Sequence, residues 1–154
     1  MYPILVALHS WIRWLVLISL IYAIYRACRG WFGGKRFSRH DNAVRHTSAT
    51  IAHVQLLIGL TLYFISPLVQ YFLHNFKTAV HERQARFFGM EHITIMLIGI
   101  TVITIGSAKA KRRLTDRRKF RTWAIWYIIG LLLILSSIPW PFTSWGSRPW
   151  FRGF

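Results

Sequence analysis

The chain has 154 residues, 54% hydrophobic and 16% aromatic, with 20 Lys+Arg against 4 Asp+Glu. So apolar a composition excludes an ordinary water-soluble domain, and the length permits a single domain. The formal charge of +16 is concentrated between long apolar runs, which argues for membrane topology and against nucleic-acid binding.

The first apolar run spans about 3–25, enough to cross a hydrocarbon core of roughly 20 helical residues. Pro3 suits a first helical turn, where its missing N–H costs nothing. The chain turns apolar at once, without the basic opening of a cleavable signal peptide, so this run is expected to stay in the membrane. Its one charge is Arg13. Trp11 and Trp14 lie toward one end and Tyr22 and Tyr25 toward the other, as in an aromatic belt. Cys28 is the single cysteine, which excludes an intramolecular disulfide and a cysteine zinc site. A loop over about 26–46 follows with six basic residues; Gly30, Gly33 and Gly34 are expected to break any helix there. Its Gly-Gly-Lys-Arg lacks the spacing and the Ser/Thr of a phosphate loop.

The second run, about 47–72, holds His53, Gln55, Gly59 and the helix-disturbing Pro67. A short loop with three basic residues leads to the third run, about 87–107. Glu91 and His92 stand at its head, and Gly99 and Gly106 repeat at seven-residue spacing after His92, a stripe that lets another helix approach closely. The next loop, about 108–122, has eight basic residues. The fourth run, about 123–138, has no ionisable group deep inside and ends at Pro139-Trp140-Pro141, which stops a helix. The reading is an all-α integral membrane protein, an up-down four-helix bundle over 1–141. An aromatic and basic tail, 142–154, follows and suits the interface.

Positive loops stay in the cytoplasm. Six and eight basic residues in loops 26–46 and 108–122, against three and two in the other loop and the tail, orient both termini outside. That topology converts position into depth. His9 lies six residues past Pro3, roughly 9 Å along a helix; His92 lies five past Phe87, roughly 7–8 Å in from the same face. Runs one and three are diagonal in an up-down bundle, so His9 and His92 can reach one ligand from opposite sides. Two imidazoles so placed suit the iron of a haem, with Arg13 and Glu91 beside them. Arg13, one turn beyond His9, is placed to neutralise a propionate or to pair with Glu91. A structural Arg13–Glu91 ion pair flanked by hydrogen-bonded histidines is the alternative account. His53 enters from the opposite face and finds no histidine at its depth, so one haem at most is expected. His53 and Gln55 form a possible second polar site, and His53 by itself reads as a packing or hydrogen-bonding residue.

His9-Ser10-x-x-Arg13-Trp14, His53-x-Gln55 with Gly59, Glu91-His92, and Ser137-Ile138-Pro139-Trp140-Pro141-Phe142 together cover nearly the whole chain. In these it resembles small four-span bacterial membrane proteins labelled cytochrome b or cytochrome b-like. The resemblance implies b-type haem, electron transfer, a quinone or quinol partner and a bacterial inner membrane. The chain departs from well-understood four-helix cytochromes b in having no histidine in run four. Two other functions fit the sequence: a haem-free accessory subunit of a larger membrane complex, and a proton or solute conduit. Group-transfer catalysis has no nucleophile and base at a recognised spacing.

Overall fold

A computed structural model describes residues 1–144 and 149–150 of the chain. Four long helices dominate it: α1 (Tyr2–Phe32), α2 (Arg39–Ile65), α6 (His92–Arg112, continuous with the turns from Arg83) and α7 (Asp116–Ser136). Three short helices, α3 (Pro67–His74), α4 (Phe76–Ala79) and α5 (Arg83–Arg86), and a π-helical turn, Phe87–Glu91, fill the connection between α2 and α6. All four long helices are long and apolar enough to cross a membrane, and their most apolar windows bury only 17–39% of their residues inside the fold. Ile18, Leu57, Phe64 and Leu132 are all more than 60% exposed. A water-soluble bundle would bury such faces, so they are surfaces for lipid, and the chain is a multi-pass membrane protein.

The helix ends follow from local chemistry. Ser38 caps α2 with a reciprocal box: its hydroxyl accepts from the Asp41 N–H, and the Asp41 carboxylate accepts from the Ser38 N–H. Pro67 leaves Ser66 extended, so α2 stops at Ile65 and α3 restarts with the proline in its first turn. Thr115 caps α7, accepting from the Arg118 N–H at 3.4 Å. α1 ends at Gly33, and Gly34 then takes a left-handed φ of 59°.

The basic connections are shorter than the sequence implied. α1 continues through Arg26 and Arg29 to Phe32, and α6 and α7 are separated only by Arg113, Leu114 and Thr115. Most of the Lys and Arg residues of these stretches are helical, which suits good helix formers whose charged ends reach out of an apolar stem. Gly30 does not break α1. It is glycine because the Phe120 ring of α7 occupies the space a Cβ would take.

α1 packs on α2 and α7, and α6 packs on α2 and α7. Each neighbouring pair runs head to tail. Arg26 near the end of α1 bonds Asp41 at the start of α2, 2.6 Å. Arg45 early in α2 donates to the backbone carbonyl of Ser107, late in α6, at 2.8 Å, and to its hydroxyl. The α6–α7 seam is tight because Gly99, Gly106 and Gly130 bring the helices together: a Cβ on Gly106 would overlap Trp126, and one on Gly130 would overlap Ile103. This is the close approach expected of the small-residue stripe. Leu20, Ala23, Ala27, Ala52, Ile103, Trp123 and Tyr127 form the core near the basic end. There the fully buried Tyr127 donates its hydroxyl to the Arg45 carbonyl, 2.6 Å away, tying α7 to α2 through the middle.

Candidate functional site

At the other end of the fold the core is open. A cavity of about 200 Å³ lies between α1 and α6, with α2 at its side. Val16, Leu56, Met96, Ile100, Ile134 and Ile138 make its walls apolar, and His9, Ser10, Arg13, Gln55 and His92 bring polar atoms to it. The two histidines singled out in the sequence therefore meet in one space.

The local geometry of His92 fixes its chemistry. Its Nδ1 lies 2.7 Å from the backbone carbonyl of Ser137. A carbonyl only accepts, so Nδ1 carries the proton and donates. In the neutral ring Nε2 then keeps its lone pair for a ligand, and the bond holds the ring in one orientation, as metal-bound histidines are commonly held. The Ser137 carbonyl is offered because α7 ends there, before Pro139.

His9 is placed by α2. Gln55 Nε2 donates to the His9 backbone carbonyl at 2.8 Å, and Gly59 lies against the ring, where a Cβ would stand 3.1 Å from Cε1. His9 Nδ1 and Gln55 Oε1 are buried polar atoms without a hydrogen-bond partner among the described residues. A buried polar atom without a partner is costly, so such atoms at a cavity wall mark where a bound group would make contact.

Arg13 reaches the mouth of the cavity. Its Nη2 donates to the Trp150 carbonyl at 2.8 Å, and its guanidinium lies 5.5 Å from the Trp14 ring centre. Trp14 donates to the same carbonyl at 3.1 Å and stacks on the Trp150 ring, with Trp140 and Phe142 alongside. This aromatic group adjoins Arg13, which lines the cavity together with Pro149. Of the aromatic and basic tail, Trp145, Arg148, Phe151, Arg152 and Phe154 lie outside the described residues.

Glu91 does not meet Arg13. Its carboxylate accepts from Arg86 Nε at 2.8 Å, has Arg83 Nη1 at 3.7 Å, and lines no part of the cavity. The π-turn explains the difference. The His92 N–H reaches back five residues to the Phe87 carbonyl, which underwinds the helix and turns Glu91 toward α5 while His92 points inward. Phe72 packs on Gly89 where a Cβ would sit, and Tyr63 donates to the Gly89 carbonyl at 2.9 Å, so α2 and α3 support the turn. π-turns often occur at functional sites.

His53 and Gln55 also separate. Gln55 belongs to the cavity, whereas His53 Nε2 lies 2.9 Å from Thr104 Oγ1 on α6. The Thr104 hydroxyl gives its hydrogen to the Ile100 carbonyl at 2.7 Å, so it accepts from His53 Nε2–H. His53 thus has a hydrogen-bond partner of its own on α6 and lines no part of the cavity. Ser10, Gly59, Met96 and the Ser137 and Trp150 carbonyls also shape the site; the sequence marked Gly59 only within a motif and offers no signal for the two carbonyls.

No family model, curated protein or solved structure matches the chain. The donor set is the remaining guide to what the cavity takes. It comprises two imidazoles, one held by a backbone carbonyl and one with a buried unpartnered nitrogen, in an apolar enclosure with a cationic mouth. Among the described residues no group of three or more His, Cys, Asp or Glu side chains is placed to hold a bare metal ion. Two imidazoles are the usual complement for an iron already held by four porphyrin nitrogens, so the residues fit a haem.

Proposed function

We propose that the chain is an integral membrane electron-transfer protein of the b-type cytochrome kind, holding one haem between α1 and α6. The observation that carries this reading is His92. Its Nδ1 is committed to the Ser137 carbonyl, and its ring lines the same apolar cavity as His9. His9 and His92 would hold the haem iron, and the haem would supply a one-electron couple. The Ser137 carbonyl orients the His92 ring and raises its basicity. Gln55 anchors the α1 backbone at His9. Ile100, Met96, Ile134 and Ile138 keep water out, and the Arg13 charge at the mouth suits a carboxylate such as a propionate. Glu91 is proposed to act only indirectly, through the π-turn that presents His92.

The head-to-tail packing of neighbouring long helices supports an up-down bundle. The charge bias then puts the basic ends of α1, α2, α6 and α7 in the cytoplasm, with both termini and the haem toward the outer face of a bacterial inner membrane. A quinol or a partner redox protein would exchange electrons at that face. The competing reading is a haem-free accessory subunit, in which His92 is a hydrogen-bonded structural residue.

The test is the visible spectrum of protein purified from haem-replete cells, oxidised and then reduced with dithionite. A Soret band that shifts on reduction, with sharp α and β bands, is expected. His9→Ala and His92→Ala should each abolish the low-spin spectrum. A colourless preparation with intact helicity overturns the proposal and leaves the accessory-subunit reading.

A further inference from the structure

A second concavity, of about 170 Å³, lies at the opposite end of the fold, where α1 gives way to α2. It is lined by Arg26, Arg29, Lys35 and Arg36, with Ser38, Asp41, Gly30 and Phe120. Four cations therefore face one carboxylate, and that carboxylate is already engaged by Arg26 and by the Ser38 capping box. Ordinary topology charges are content to point into water. Here they converge on a hollow because Gly30 and Phe120 form its floor and the left-handed Gly34 folds Lys35 and Arg36 back over it.

The surface beside the hollow is apolar in the direction of the membrane. Ile18, Tyr22, Tyr25 and Arg29 follow one another at helical spacings of four, three and four, so they share a stripe of α1. Ile18, Tyr22 and Tyr25 are 64%, 43% and 57% exposed. A continuous track thus leads from lipid-facing residues into the basic hollow.

We propose that this hollow binds the phosphate of an anionic phospholipid headgroup, with an acyl chain lying along the Ile18–Tyr25 stripe. Arg29, Lys35 and Arg36 supply charge that no carboxylate among the described residues neutralises, and guanidinium groups suit phosphate oxygens. The apolar stripe favours a lipid over free phosphate, which has no use for it. Basic pockets between membrane helices are recurrent sites for such headgroups.

The experiment is native mass spectrometry of the full chain in detergent, offered phosphatidylglycerol or phosphatidylcholine of the same acyl chains. Phosphatidylglycerol should be retained preferentially. Each Lys or Arg near a lipid surface is worth about fivefold, so Arg29→Gln with Lys35→Gln should weaken retention by about 25-fold. A control pair away from the hollow, Lys111→Gln with Arg112→Gln, should leave it unchanged, and circular dichroism confirms that each variant folds. Equal retention of the two lipids, or equal loss in the control pair, overturns the proposal. Displacement of bound lipid by millimolar inorganic phosphate assigns the hollow to free phosphate and overturns the lipid assignment.

Discussion

Gly59 is where the packing around His9 can be tested without touching a ligand atom. In Gly59→Ala the new Cβ would stand 3.1 Å from His9 Cε1 and 3.7 Å from Nδ1. Carbon atoms rest at about 3.5–4.0 Å, so the ring must move by roughly 0.4–0.9 Å. Two effects compete. Alanine favours a helix over glycine by about 0.5–1 kcal/mol. Forcing a methyl group into a packed site costs about 1–3 kcal/mol. The second is the larger, so Gly59→Ala is expected to destabilise the fold by up to about 2.5 kcal/mol, and Gly59→Val, with two further methyl groups, by more. Reversible unfolding in mixed SDS micelles, followed by circular dichroism, measures this. In haem-loaded protein the same displacement should broaden or shift the low-spin bands, most in Gly59→Val. An alanine variant stabilised by the full helix-propensity gain, with an unaltered spectrum, would refute the contact between Gly59 and His9.

Four further outcomes are expected. Gly106→Leu should destabilise by about 1–3 kcal/mol through overlap with Trp126, a loss read from the SDS unfolding midpoint. Ser38→Ala removes the α2 capping box and should cost about 0.5–2 kcal/mol in the same assay. Glu91→Gln breaks a half-exposed ion pair with Arg86, so its stability cost should be about 1 kcal/mol or less. Its absorption spectrum should match the parent's, whereas Arg13→Gln, at the cavity mouth, should change it.

The four membrane helices were legible because length and hydropathy suffice to mark them. Their ends were not. Runs of basic residues suggest loop, yet Arg26, Arg29, Lys109 and Lys111 are helical. Charge reports where water is near, not where a helix stops. Gly30 misled for a related reason: its role is to admit Phe120, a contact with a residue ninety positions away. Pro67 and the Gly99/Gly106 stripe were readable because their effects are local or periodic. His9 and His92 stood out through the cost of polar groups in hydrocarbon, and depth counting brought them together. Glu91 pairs with Arg86 rather than Arg13, since neighbours on a helix point about 100° apart and His92 takes the inward direction. His53 and Gln55 separate because residues two apart on a helix point about 200° apart.

The π-turn at Phe87–Glu91 sets a helical phase. A wide turn takes up one residue more than a regular one, so the helix on either side keeps its phase despite the extra residue. Arg83 and Arg86 are in phase with Glu91, and Gly99 and Gly106 are in phase with the α7 seam. The inward direction of His92 is what joins the two registers. A chain one residue shorter between 87 and 91 would keep nearly the same composition and hydropathy and would span a membrane equally well. With a regular turn there, Arg86 and Glu91 would stand four apart on one face, so the ion pair and the inward His92 would both be kept. The turn therefore absorbs a difference in length of one residue without moving either set of contacts.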